Sequence, residues 1–126
     1  MIYYKVTDTL NCSINPRLPA DYSTQYVLGR EVKPNVKGTK LFCFNNLERA
    51  YNFCKQLNQD YFIYECEITN PGKPKFLSHI GSYYFSMFWN NKNKHKKIHE
   101  DSFLAPLGTV SCDSIKLIRL VDSCYH

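Results

Sequence analysis

The sequence lacks any hydrophobic run long enough to cross a membrane, and its first ten residues, MIYYKVTDTL, have neither the basic leader nor the apolar stretch of a secretory signal. It also contains no Walker phosphate loop and no GxGxxG, GxSxG or HExxH motif. These absences argue against the commonest nucleotide-hydrolysing and esterase chemistries. We therefore expect a cytoplasmic protein that has no membrane partner and no cofactor.

The cysteine content has two interpretations. Six cysteines would suit three disulfides in a secreted protein. Without a secretory signal, a reducing compartment is expected instead, and free cysteine usually behaves as a small buried residue. We predict that most of the six are reduced core residues, and that Cys43, Cys54 and Cys66 face inward and cluster between the central helix and the sheet.

The chain length of 126 residues fits one domain, residues 1–126, which buries roughly two-thirds of the surface of the unfolded chain. Aromatic residues make up 15% of the sequence, so a hydrophobic core explains stability without a disulfide framework or a metal. Eleven asparagines and ten tyrosines have AT-rich codons. This usage suggests a low-GC genome, such as that of a bacteriophage, another virus or a low-GC bacterium.

The clearest local pattern lies in residues 38–58, GTKLFCFNNLERAYNFCKQLN. Lys40 to Phe44 is an apolar run typical of a buried strand. Asn45 with Glu48 three residues later has the spacing of a capping box, which predicts a helix start, and Asn58 is the predicted C-terminal cap. Apolar residues then recur at helical spacing on one face, namely Leu47, Ala50, Tyr51, Cys54 and Leu57.

Several other segments have strand character. Residues 1–7 form a strand whose early start suggests an interior position in the sheet, and 25–32, 76–80 and 114–121 are further strands. Residues 60–69 alternate, with Phe62, Tyr64, Cys66 and Ile68 directed to the core and Tyr61, Ile63, Glu65, Glu67 and Thr69 on the opposite face. Residues 82–89 are predicted to form a second helix. The fold class is therefore α+β, a mostly antiparallel sheet of about five strands with one or two helices packed on one face.

The strongest candidate site is the segment SYYFSMFWNNKNKHKK, in which a run of aromatic residues precedes four lysines that fall within six positions. Lysines neutralise phosphates and aromatic rings stack on bases, so this composition suits an anionic partner. The predicted contact residues are Tyr83, Tyr84, Phe88, Trp89, Lys92, Lys94, Lys96 and Lys97. We expect a non-enzymatic binding protein, an accessory factor of a phage or another virus, whose partner is a host protein, a nucleic acid or a phosphorylated small molecule.

An enzymatic alternative comes from Arg17, the Ser23-Thr24 pair and Glu65-Cys66-Glu67. An arginine, a hydroxyl pair and Glu-x-Glu on a strand, in that chain order, resemble the arginine-type ADP-ribosyltransferases. The resemblance implies an enzyme that binds NAD and uses Glu65 or Glu67 as its key carboxylate. A homo-oligomer formed through exposed strand edges is a third possibility. His95 and His99 have a spacing compatible with one metal ion, but the lysines around them would repel a cation, and we predict no metal site.

Overall fold

The structure is a computed structural model, and it describes residues 2–14, 24–35, 40–57, 59–73, 76–78, 102–104 and 107–125. Among these residues, no helix has both the length and the apolar character needed to span a bilayer. The elements in chain order are β1 (Tyr3–Thr7), β2 (Glu31–Val32), β3 (Leu41–Phe44), α1 (Leu47–Cys54), β4 (Tyr61–Thr69), β5 (Phe76–Ser78), β6 (Ser102–Leu104), β7 (Thr109–Cys112) and β8 (Ser114–Cys124).

Six strands form an antiparallel sheet in the order β2, β8, β4, β1, β3, β7, and β5 pairs separately with β6. The α+β class is confirmed, and β1 has the interior position that its sequence predicts, between β4 and β3. The sheet contains six strands rather than five. The additional strand, β7, is short and follows directly on the turn at Gly108, so its sequence gives little strand signal.

The long strand β8 carries two irregularities opposite β4. The register advances from Ile63 opposite Asp122 to Tyr64 opposite Leu120, and again from Glu65 opposite Arg119 to Cys66 opposite Leu117. Val121 and Ile118 are therefore extra residues, as in β-bulges, which strengthen the local twist. The predicted strand ended at Val121, whereas β8 continues to Cys124.

Buried residues form two clusters. The helix-side cluster contains Val6, Ile14, Phe44, Ala50, Cys54 and Ile63. The thiol-side cluster contains Tyr26, Leu41, Cys43, Tyr64, Cys66, Val110, Cys112, Ile115 and Leu117. Tyr64 and Cys66 are buried as the alternation of β4 predicts, but Ile63, on the opposite face, is fully buried too. Both faces of β4 are therefore covered at its centre.

The six cysteines are all free thiols, and four of them, Cys43, Cys54, Cys66 and Cys112, are buried. The prediction that Cys43, Cys54 and Cys66 form one cluster is wrong. Cys43 and Cys66 belong to the thiol-side cluster, whereas Cys54 belongs to the helix-side cluster. The reason is the alternation of β3, because Phe44 is the residue that meets α1, with its ring centroid 5.3 Å from that of Phe53.

The start of α1 differs by one residue from the prediction. Asn46, not Asn45, is the N-cap, and its side-chain oxygen accepts a hydrogen bond from the backbone N–H of Arg49 at 2.8 Å. Asn45 instead donates its backbone N–H to the carbonyl of Gly108 at 2.9 Å, which ties the start of the helix to the turn before β7. The helix ends at Cys54, and the predicted cap at Asn58 and the second helix over residues 82–89 lie outside the described residues.

Gly108 provides a test of the contact between the start of α1 and the turn before β7. Its φ of +84° is unfavourable for other residues, and an added Cβ would lie 2.6 Å from Cγ of Arg49 and 2.9 Å from Oδ1 of Asn45. Gly29 is the matched control, because its φ is +81° but an added Cβ meets nothing within 4 Å. We expect Gly29→Ala to lower the free energy of unfolding by about 1 kcal/mol, and Gly108→Ala by about 1–3 kcal/mol more. Urea unfolding of both variants measures the difference in free energy of unfolding. Equal losses would contradict the predicted steric overlap between a Cβ at position 108 and the Arg49 side chain.

Candidate functional site

The predicted contact residues all lie outside the described part of the chain. They are Tyr83, Tyr84, Phe88, Trp89, Lys92, Lys94, Lys96 and Lys97, within residues 79–101. The structure does describe the strands on either side. β5 and β6 are antiparallel, with Phe76 opposite Leu104 and Ser78 opposite Ser102. Ser78 and Ser102, the described residues on either side of residues 79–101, are therefore neighbours in the structure.

Within the described residues, the most unusual side chain is Lys5, at the centre of β1. The strand β1 lies between β4 and β3 in the sheet, and the Lys5 side chain is only 7% exposed, although lysine is usually a surface residue. Its ammonium nitrogen donates a hydrogen bond to the carbonyl of Phe42 at 2.6 Å and lies 5.2 Å from the ring centroid of Tyr26. Burial lowers the pKa of the Lys5 amine from its ordinary value, because a charged ammonium is poorly solvated there.

Three thiols lie near this amine, those of Cys43, Cys66 and Cys112, and each acts to raise its pKa against the larger effect of burial. Cys43 and Cys112 remain neutral thiols near neutral pH. The pKa of Cys112 is raised by contact with the Cys43 thiol and by burial. For Cys43, Cys112 acts to lower the pKa, but contact with Cys66 and burial outweigh it, so the net shift is upward. In the described part of the chain, no group of three or more His, Cys, Asp or Glu side chains is arranged to hold a metal ion.

Tyr26, whose ring lies against Lys5, and the nearby Thr24 both have buried hydroxyls. Tyr26 and Thr24 are each 1% exposed, and among the described residues neither Oη of Tyr26 nor Oγ1 of Thr24 makes a hydrogen bond of good geometry, although the Ser13 side chain lies close enough to Tyr26 to act on its pKa. The backbone around them is well fixed, since the N–H of Tyr26 donates to the carbonyl of Asn11 at 2.7 Å and the N–H of Thr24 donates to Oγ of Ser13 at 3.1 Å. Burial also raises the pKa of Tyr26, so its phenol is neutral.

Sequence reasoning did not identify this group. In YYKVT the lysine lies on the same face of the strand as Tyr3 and Thr7. The interior position of β1 in the sheet is also predicted correctly. Those two facts place the lysine on one face of an interior strand. The signal was therefore present in the sequence, but only in combination with the knowledge that both faces of the sheet are covered.

The carboxylates of the enzymatic alternative occupy different environments. Glu65 accepts two hydrogen bonds from Arg119, at 2.8 Å from Nε and 2.7 Å from Nη2, and its side chain is only 16% exposed. Glu67 is exposed and lies opposite Lys116 in the sheet. Thr24 is buried, whereas Arg17 and Ser23 lie outside the described residues. The ADP-ribosyltransferase hypothesis therefore stays a prediction.

Compared with protein-family models, curated proteins and solved structures, the chain shows no match. Its function has to be argued from its own residues.

Proposed function

We propose that the chain is a small binding protein that engages an anionic partner through the basic segment, defined as residues 83–97. The observation that carries this proposal is the clustering of Lys92, Lys94, Lys96 and Lys97 shortly after a run of aromatic residues. Charge clustered in this way attracts phosphates or carboxylates over a long range. A protein of this kind, from a low-GC genome, fits an accessory factor of a phage or another virus that engages a host component.

Single-stranded nucleic acid is the partner that would use the whole segment. Its phosphates pair with lysines, and its bases stack on aromatic rings such as Tyr83, Tyr84 and Trp89. An acidic protein surface or a phosphorylated small molecule would use the lysines alone. The paired strands β5 and β6 are compatible with the proposal, because Ser78 and Ser102, the described residues on either side of residues 79–101, lie opposite each other.

The test is a salt titration of binding to a fluorescent single-stranded oligonucleotide of mixed sequence. Replacing Lys92, Lys94, Lys96 and Lys97 by alanine should weaken binding and reduce the slope of log Kd against log salt by about 3, since each lost phosphate contact removes about 0.7. The measurement is fluorescence anisotropy at several salt concentrations.

A matched control separates the segment from net charge. Lys33, Lys55, Lys73 and Lys116 are all exposed, and replacing them by alanine removes the same number of charges. We expect this control variant to keep most of the affinity and of the salt slope. Equal losses in the two variants would show that binding depends on overall charge, and unchanged binding in the first variant would exclude the basic segment.

A further inference from the structure

The two edges of the six-stranded sheet differ in how they are covered. At the edge formed by β7, Ser111 exchanges two backbone hydrogen bonds with Gly72, at 2.8 and 2.9 Å. At the opposite edge, the short strand β2 pairs with residues 115 and 116 of β8, and Gly29 donates one further bond to the carbonyl of Leu117. Among the described residues, no strand lies beyond β8 at residues 118–123. We term these six residues the β8 edge.

Exposed apolar side chains are concentrated around the β8 edge. The described part of the chain has eight large hydrophobic residues that are exposed, and five of them lie on or next to this strand, namely Val27, Leu28, Ile118, Leu120 and Tyr125. Val27 and Leu28 belong to the turn that continues into Gly29, which is bonded to Leu117. An open strand edge presents backbone N–H and C=O groups that another strand can bind, and apolar side chains beside it add to the affinity of such a contact.

Arg119 and Asp122 give the β8 edge a self-complementary charge pattern. They lie opposite Glu65 and Ile63 of β4, which are two residues apart, so both side chains are on the same face of the sheet although three positions separate them in the sequence. In an antiparallel pair of identical edges, related by a two-fold axis between residues 120 and 121, Arg119 of each copy is adjacent to Asp122 of the other.

The Arg119 side chain has the capacity for this second carboxylate. It is 63% exposed, and it donates to Glu65 through Nε and Nη2. A guanidinium group has five N–H donors, so in the described part of the chain the donors of Nη1 are left for another acceptor. An ion pair with Asp122 of a second copy therefore does not require the bond to Glu65 to break.

We propose that the β8 edge is a homodimer interface, in which residues 118–123 of two copies pair as antiparallel strands and join the two sheets into one. A second copy fits better than an unrelated strand, because the two-fold arrangement forms both charge pairs at once. The irregularities of β8 support the same partner, since bulges twist an edge and protect it against indiscriminate pairing, and a second copy of β8 has the same twist. The interface includes none of the basic segment and does not depend on the proposed function.

The first test is sedimentation velocity of the full chain over about three decades of concentration, since a dimer forms by mass action. We expect a monomer–dimer equilibrium, and amide hydrogen exchange at residues 118–123 that slows as the dimer fraction rises. A chain that stays monomeric at every concentration would overturn the proposal and leave the edge to a different protein. A dimer with unchanged exchange at residues 118–123, or assembly beyond the dimer, would overturn it too.

Charge reversal tests the pairing of Arg119 with Asp122. Arg119→Asp alone places two carboxylates together in each pair, and Asp122→Arg alone places two guanidinium groups together, so each variant should dimerise about tenfold or more weakly. An equimolar mixture of the two variants should dimerise again, because each introduced charge then meets its opposite. Damage to the fold cannot produce such a recovery. A mixture that associates no better than the separate variants would refute the proposed pairing.

A matched pair of lysine substitutions tests the apolar part of the edge. Leu120 is 47% exposed on β8, and Leu107 is 73% exposed just before β7 at the opposite edge. Leu120→Lys should weaken dimerisation by about tenfold or more, because two lysines would approach each other near the two-fold axis, whereas Leu107→Lys should leave it unchanged. Equal effects of the two substitutions would assign the association to overall charge and not to the β8 edge.

Discussion

Replacing Ile63 by alanine is expected to lower the free energy of unfolding by about 2–5 kcal/mol. Ile63 is fully buried in the helix-side cluster, together with Ala50 and Cys54 of α1 and Val6 of the neighbouring strand β1. The loss combines the transfer free energy of the deleted methyl and methylene groups with the cavity left beneath the helix. Urea unfolding, followed by far-UV circular dichroism, gives the change directly.

Ile118 is the matched control, since it is the same residue type in the adjacent strand β8 but is 42% exposed. The same substitution there should cost less than about 1 kcal/mol. If Ile63→Ala cost no more than Ile118→Ala, the helix would not cover this face of the sheet. A shift in the m-value would instead indicate a change in the denatured state.

Ile63 also shows how far alternation can be used to predict a fold. The alternation of residues 60–69 correctly predicted the strand and the burial of Tyr64 and Cys66. The second face looked polar because Glu65 and Glu67 lie on it. Whether Ile63 is buried depends on the residues that share its cluster, here Val6 of β1 and Ala50 and Cys54 of α1. A periodicity of two carries no information about which element covers which face.

The cysteines illustrate the same limit. Cys43 lies at an inward position of β3 and Cys54 at an inward position of α1, and both are buried as predicted. Both faces of this sheet carry buried residues, so an inward position can belong to either cluster. The sequence pattern therefore could not decide whether Cys43 and Cys54 meet. The cap of α1 was misplaced for a local reason, because Asn45 and Asn46 are both good caps and the choice depends on the bond from Asn45 to Gly108, 63 positions later in the chain.

For the candidate sites, the sequence was informative about composition and uninformative about burial. Clustered lysines at 92–97 are visible in the sequence itself, and the proposal based on them needs no fold. Lys5 is one lysine among many, and only the covering loop with Tyr26 distinguishes it from a surface residue. Such a residue is identified by the conflict between its charge and its surroundings, which is a property of tertiary structure.

Replacing Lys5 by methionine is expected to raise the free energy of unfolding at about pH 5 by about 1–3 kcal/mol, because an apolar side chain of similar length removes a buried amine that has no carboxylate partner among the described residues. The hydrogen bond to Phe42 is lost, which offsets about 1 kcal/mol of the gain. Lys116→Met is the control, since Lys116 is an exposed lysine of the same sheet and its replacement should change stability by less than about 0.5 kcal/mol.

The pH dependence of this gain identifies its cause. The pKa of Lys5 is lowered in the folded chain, so the unfolded chain binds more protons between that lowered pKa and the ordinary value of 10.5. Stability conferred by neutral Lys5 therefore increases as the pH rises through this window, and the advantage of methionine should shrink toward its upper end. Raised pKa values of Cys43, Cys112 and Tyr26 have the opposite effect in alkaline solution, but they are common to both proteins and cancel in the comparison to a first approximation. A gain that stays constant across the window would mean that Lys5 keeps an ordinary pKa and that packing alone explains the stabilisation, whereas destabilisation at every pH would mean that the bond to Phe42 outweighs the desolvation of the amine.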